Sequence, residues 1–140
     1  MPTIGRTVLA GLLLTLPAAS GAAAEPPPRA ETHVVKMVQE GSAYRFQPAS
    51  LTVRAGDRVR FVMVSGGPHN VAFDAERIPD AAERALSAGM PDRISPLAGA
   101  ILTEAGASYT VSFDGVPPGS YPFFCMPHVS MGMRGTVTVR

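Results

Sequence analysis

The chain has 140 residues, with 12 lysines and arginines against 11 acidic residues, three histidines and one cysteine. That length suits a single domain, and the near-even charge balance excludes both a basic stripe for nucleic acid and an acidic tail. One cysteine excludes an internal disulfide and leaves a free thiol, a metal ligand or a bridge to another chain.

Arg6 is followed by an apolar run, Thr7 to Leu16, and then by small residues up to Ala24. This is the pattern of an export leader, and the run falls well short of the ~20 apolar residues a spanning helix needs. Residues 1–24 are expected to be a signal peptide, which predicts a periplasmic or otherwise exported protein with no stable membrane insertion. Without Arg6 the remainder carries eleven bases and eleven acids, and Lys36 is its only lysine. Export to an oxidising compartment makes an idle thiol a liability, which favours a ligand role for the cysteine.

Residues 25–32, opening with EPPPRA, read as a Pro-rich tether ahead of a domain over 33–140. His33 to Gln39 alternates imperfectly and predicts a first strand. Short strand pieces are expected at Tyr44–Phe46 and Leu51–Val53, on either side of Pro48. Arg58 to Val64 alternates cleanly, with Val59, Phe61 and Met63 on one face. Ser65-Gly66-Gly67-Pro68 then breaks the strand and delivers His69. Extended structure resumes over Asn70–Phe73. Ile78 to Ala88 is the one expected helix, with Pro79 near its start and Gly89 at its end. Ser108–Phe113, Ser120–Cys125 and Arg134–Val139 are the remaining predicted strands. Tyr121, Phe123 and Cys125 share one face of theirs, taken as inward. Several short strands with frequent turn signals predict an all-β sandwich of two sheets with one short helix inserted.

The chemistry concentrates in Cys125-Met126-Pro127-His128-Val129-Ser130-Met131-Gly132-Met133. Thiolate, imidazole and thioether stand there in the order Cys-x2-His-x4-Met, and His69 supplies a second imidazole from upstream. Two His and one Cys with a weak axial Met make a type 1 (blue) copper set. A lone Cys-x2-His is common by chance; the order His, then Cys-x2-His-x4-Met near the C-terminal end of a β-type sequence is far more specific. Cys125 alone would read as a small buried hydrophobe, and His69 alone as an ordinary loop histidine. Met131 competes with Met133 for the thioether role, and the x4 spacing after His128 favours Met133. His33 is far from these motifs and reads as solvent-facing or strand-pairing.

These residues resemble a cupredoxin of the plastocyanin/azurin group. The run His69-Asn70-Val71-Ala72-Phe73-Asp74 is similar to plastocyanin, and Pro127-His128-Val129-Ser130-Met131-Gly132-Met133 is similar to pseudoazurin. The resemblance covers roughly residues 33 to 140. It implies a Greek-key cupredoxin barrel, one copper ion, and the ligands His69, Cys125, His128 and Met133. Two positions depart from the family pattern. Met126 stands where a Ser or Thr hydroxyl often bonds the Asn after the first His, so Asn70 needs another partner. Phe124 stands where many plastocyanins have Tyr, which removes support for a tyrosine-based remote electron route.

The chain is expected to be a monomeric carrier of one electron at a time between larger redox proteins. Met126, Pro127, Met131 and Gly132 surround His128 with apolar or small groups, which reads either as local packing under the loop or as an apolar docking rim for those partners. The chain is not expected to be an enzyme. A multicopper oxidase or nitrite reductase needs further histidine-rich sites, and only His33 is left over. Copper delivery or storage is the alternative. A sandwich with a fortuitous zinc site is the weakest reading.

Overall fold

The computed structural model describes residues 1–3, 25, 26 and 28–140. The signal peptide expected over residues 1–24 lies outside them apart from its first three residues. Eight strands follow in order: β1 (Thr32–Glu40), β2 (Ala43–Gln47), β3 (Ser50–Val53), β4 (Arg58–Met63), β5 (Ala72–Phe73), β6 (Ser108–Ser112), β7 (Gly119–Phe124) and β8 (Arg134–Val139). One helix, α1 (Asp80–Ala88), lies between β5 and β6.

The strands form two four-stranded sheets, ordered β2-β1-β4-β6 and β3-β8-β7-β5. Both are mixed. β1 runs parallel to β4 and β3 parallel to β8, while the other pairs are antiparallel. Alternation in the sequence sets which residues meet between the sheets. Val59, Phe61 and Met63 of β4 point inward and are buried, as do Tyr121 and Phe123 of β7. Phe46, Phe61 and Phe123 pack edge to face, with centroids 4.8–6.0 Å apart, and join the sheets at the centre.

The helix starts two residues later than its sequence signal, because Pro79 takes an extended conformation (ψ 142°) and caps it. It buries Ala82 and Leu86, one turn apart, against the sandwich. Three carriers matter for function. β4 leads into the segment that bears His69. β7 ends one residue before Cys125. β8 begins one residue after Met133. The two sheets therefore hold the donor-bearing segments at one end of the sandwich.

Candidate metal centre

Each donor is held by backbone bonds before any side chain is considered. His69 donates its N–H to Leu102 O (3.0 Å) and accepts from Leu102 N–H (2.7 Å), which closes a small bridge after the strand break. Cys125 donates to Met133 O at 3.1 Å, and Met133 N–H donates to His128 O at 3.2 Å. His128 N–H donates back to Cys125 O at 3.1 Å. These bonds coil Met126–Met131 into 3-10 turns, an element the sequence did not announce. Gly132 closes the coil at φ +81°, a backbone conformation that costs glycine little. The chain thus turns back into β8 nine residues after Cys125.

The side chains converge. Cys125 Sγ lies 3.6 Å from His69 Nδ1 and 3.5 Å from His128 Nδ1. Cys125, His69 and Met133 are wholly buried and His128 is 6% exposed. Met131 is 58% exposed. Burial therefore separates the two methionines: Met133 faces inward and Met131 stands at the surface. His128, on the loop, is reached by solvent over only a small part of its surface.

The surrounding bonds prepare the donors. His69 Nε2 lies 2.8 Å from Ser65 O, a carbonyl that can only accept, so the proton sits on Nε2 and Nδ1 faces the sulfur as a free lone pair. Burial pushes the Cys125 thiol up, against the pull of N–H groups from Asn70 and His128. Burial also lowers the His128 pKa, helped by the neighbouring His69. A neutral imidazole is the form that binds metal, and a buried thiol gives its proton up to a cation. Asn70, itself fully buried, finds the partner that its sequence context left open: its Oδ1 accepts from Met126 N–H at 2.9 Å, and its Nδ2 donates to Gly99 O at 3.2 Å.

Two contributors were missed. Gly99 anchors Asn70 from the connection between α1 and β6. Tyr44, on β2, stacks on the His128 ring with centroids 3.8 Å apart and planes 10° apart. An alternating β2 signals an inward Tyr44, but nothing local says that β2 lies beside the loop. His33, set apart in the sequence, is indeed elsewhere: its Nε2 lies 3.0 Å from Asp57 Oδ2 at the opposite end of β1 and β4. Phe124, the departure beside Cys125, carries the Arg134 guanidinium 5.7 Å from its ring centroid.

The donor set fits copper. A thiolate and a thioether are soft donors that suit Cu(I), and imidazole suits both oxidation states. The four positions are also buried and fixed by backbone, so a change of charge there calls for little rearrangement.

Comparison with known proteins agrees with this chemistry. The family described as "Copper binding proteins, plastocyanin/azurin family" matches residues 32–140. Plastocyanin of Scenedesmus fuscus is 37% identical over 106 residues, spanning 76% of this chain and 97% of that protein. Plastocyanin of Nostoc punctiforme is 34% identical over 139 residues, 99% and 95% of the two chains. Among solved structures, oxidised plastocyanin of the fern Dryopteris crassirhizoma superposes with a TM-score of 0.61 at 33% identity, covering 76% of this chain and 99% of that one. Pseudoazurin of Methylobacterium extorquens gives 0.53 at 29% identity, covering 77% and 74%. The sandwich is thus the Greek-key cupredoxin fold.

Proposed function

The chain belongs to the plastocyanin/azurin family of copper-binding proteins, and from that premise we propose that it is an exported blue-copper carrier of single electrons between larger redox proteins. His69, Cys125, His128 and Met133 are the proposed ligands. The observation that carries this is the convergence of one thiol and two imidazoles, with Sγ within 3.6 Å of both Nδ1 atoms, in a pocket with almost no solvent access.

Copper, when bound, supplies a one-electron Cu(I)/Cu(II) couple. The chain supplies the rest. Cys125 gives the thiolate, anchored by β7 and by its bond to Met133 O. The Ser65 carbonyl orients His69. Met133 supplies a thioether from inside, where Met131 cannot reach without leaving solvent. The sheets and the Phe46–Phe61–Phe123 cluster hold both segments and exclude water.

His128 is the donor with the most solvent access, and its loop exposes Met126 (44%), Met131 (58%) and Pro127. Such an apolar rim suits a small, short-lived contact of the kind redox encounters use. The proposed docking site for redox partners is this rim around His128. The protein works as a monomer. Residues 1–24 are read as the export signal, 25–32 as a tether and 33–140 as the domain, although β1 already begins at Thr32. No helix among the described residues is long and apolar enough to cross a membrane.

The test is the visible and EPR spectrum of the Cu(II)-loaded protein. An intense thiolate-to-copper band with narrow copper hyperfine splitting is expected. Cys125→Ser should lose that band while the metal-free protein keeps its β-sheet circular dichroism. A fully blue Cys125→Ser protein would sink the assignment. Export is read separately, from the mass of the protein recovered outside the cytoplasm, which should lack residues 1–24.

A further inference from the structure

Tyr44 carries none of the four donors, and β2 belongs to the sheet opposite the one whose strands β7 and β8 flank Cys125 and Met133. β2 is nonetheless the edge strand laid against the donor loop. Its register on β1 pairs Tyr44 with Gln39 and Phe46 with Met37. Phe46 is buried in the aromatic cluster, so Tyr44, two residues earlier, points to the same side of the strand. There its ring covers one face of the His128 imidazole, nearly parallel at 3.8 Å, and meets His69 edge-on at 6.2 Å.

On its other side Tyr44 faces solvent. With Arg45, Met131, Gly132 and Arg134 it lines an open crevice of about 220 Å³. That is room for several waters, at ~30 Å³ each. Tyr44 lines this crevice and covers the imidazole face, while His128 itself does not line it. His128 sits on the loop and is restrained at its backbone by the bonds to Cys125 O and from Met133 N–H. Those bonds leave rotation of the ring free; a flat ring stacked on it does not.

We propose that Tyr44 is a positioning residue for the copper centre. It keeps His128 Nδ1 turned toward the Cys125 sulfur and keeps water off the imidazole face. The proposal rests on His128 being a ligand. Two consequences differ in kind from a loss of fold. Releasing the ring should ease copper departure. Admitting water should favour the more highly charged Cu(II) state, because a polar surrounding stabilises charge, so the reduction potential should fall.

The experiment compares Tyr44→Phe, which keeps the ring, with Tyr44→Leu, which removes it. Three readings are taken: the rate of Cu(I) removal by the chelator bathocuproine, the midpoint potential, and the His128 ring-proton resonances of the metal-free protein. In Tyr44→Leu, copper removal should quicken about two- to tenfold, the range one aromatic pair contributes. The potential should drop, and the His128 resonances should move downfield as the ring current is lost. Tyr44→Phe should match the parent in all three. A Tyr44→Leu protein with parental release rate and potential, folded by circular dichroism, would overturn the proposal, as would a Tyr44→Phe protein equally perturbed. His128→Ala separates the two layers: if it changes the copper spectrum while Tyr44→Leu changes nothing, only the Tyr44 role fails. If His128→Ala leaves the spectrum unchanged, the ligand reading fails and the Tyr44 role falls with it.

Discussion

The Asn70 side chain ties both donor segments to each other and to a third. It is fully buried beside His69, accepts from Met126 N–H and donates to Gly99 O. Asn70→Ala removes both bonds and leaves each backbone partner without its mate. The two losses are unequal. The bond from Met126 N–H is only part-buried, and its loss costs about 1 kcal/mol. Gly99 is buried, and an unmatched buried carbonyl costs ~1–3 kcal/mol. The sum is a loss of about 2–4 kcal/mol, large against the ~5–15 kcal/mol that holds a typical domain together. Urea unfolding of the metal-free protein reads it directly: the midpoint should fall while the slope stays constant. The copper protein should also change, because the Asn70 N–H that pulls on the Cys125 sulfur is then carried by a looser segment. A stability loss below about 1 kcal/mol, with an unaltered thiolate band, would show that the two segments are held by the sheets alone and that the Asn70 bridge is incidental.

Two further outcomes follow from burial and charge. Met133→Gln should keep copper but lower the midpoint potential, since an amide oxygen is harder than a thioether and favours Cu(II). Met131→Gln should shift it far less, because Met131 is 58% exposed while Met133 is wholly buried; a larger shift at Met131 in voltammetry would mean the ligands are exchanged. Asp57 predicts an acid limit for the fold. Burial pushes its carboxyl up, but N–H donors from Arg54 and Glu31, together with His33, outweigh that and hold it at about 2 against an ordinary 3.8. A depressed folded pKa stabilises above the unfolded value and is lost as pH falls toward the folded one. The metal-free protein should therefore lose about 2 kcal/mol between pH 4 and pH 2. Asp57→Asn should flatten that slope, and an equally steep slope in its urea midpoints would refute the role.

What could be read in the sequence was what local chemistry restricts. Copper narrows its donors to few residue types, and one loop must present three of them, so Cys125, His128 and Met133 carry a spacing that few other demands produce. The alternation of Val59, Phe61 and Met63 is equally local, since side chains on a strand must alternate whatever the strand pairs with. Tyr44, Gly99 and Asp57 obey no such local rule. Tyr44 acts on His128 only because the sandwich closes with β2 beside a loop that starts 82 positions later and belongs to the other sheet. Gly99 reaches Asn70 because His69 pairs with Leu102. Asp57 directly precedes β4, yet its carboxylate's ties to Glu31 N–H and the His33 ring reach back 26 and 24 residues, across the β1–β4 pairing. Each of these contacts comes from closure between distant segments, and each does work that many residue types could do. An aromatic of either kind can stack, and any buried carbonyl can take an amide proton. The proposed ligands are written in the chain because copper accepts few substitutes. Their supports are not, because the fold accepts many, so variation among related chains in potential and acid tolerance is expected at positions such as Tyr44 and Asp57 before it appears at the four donors.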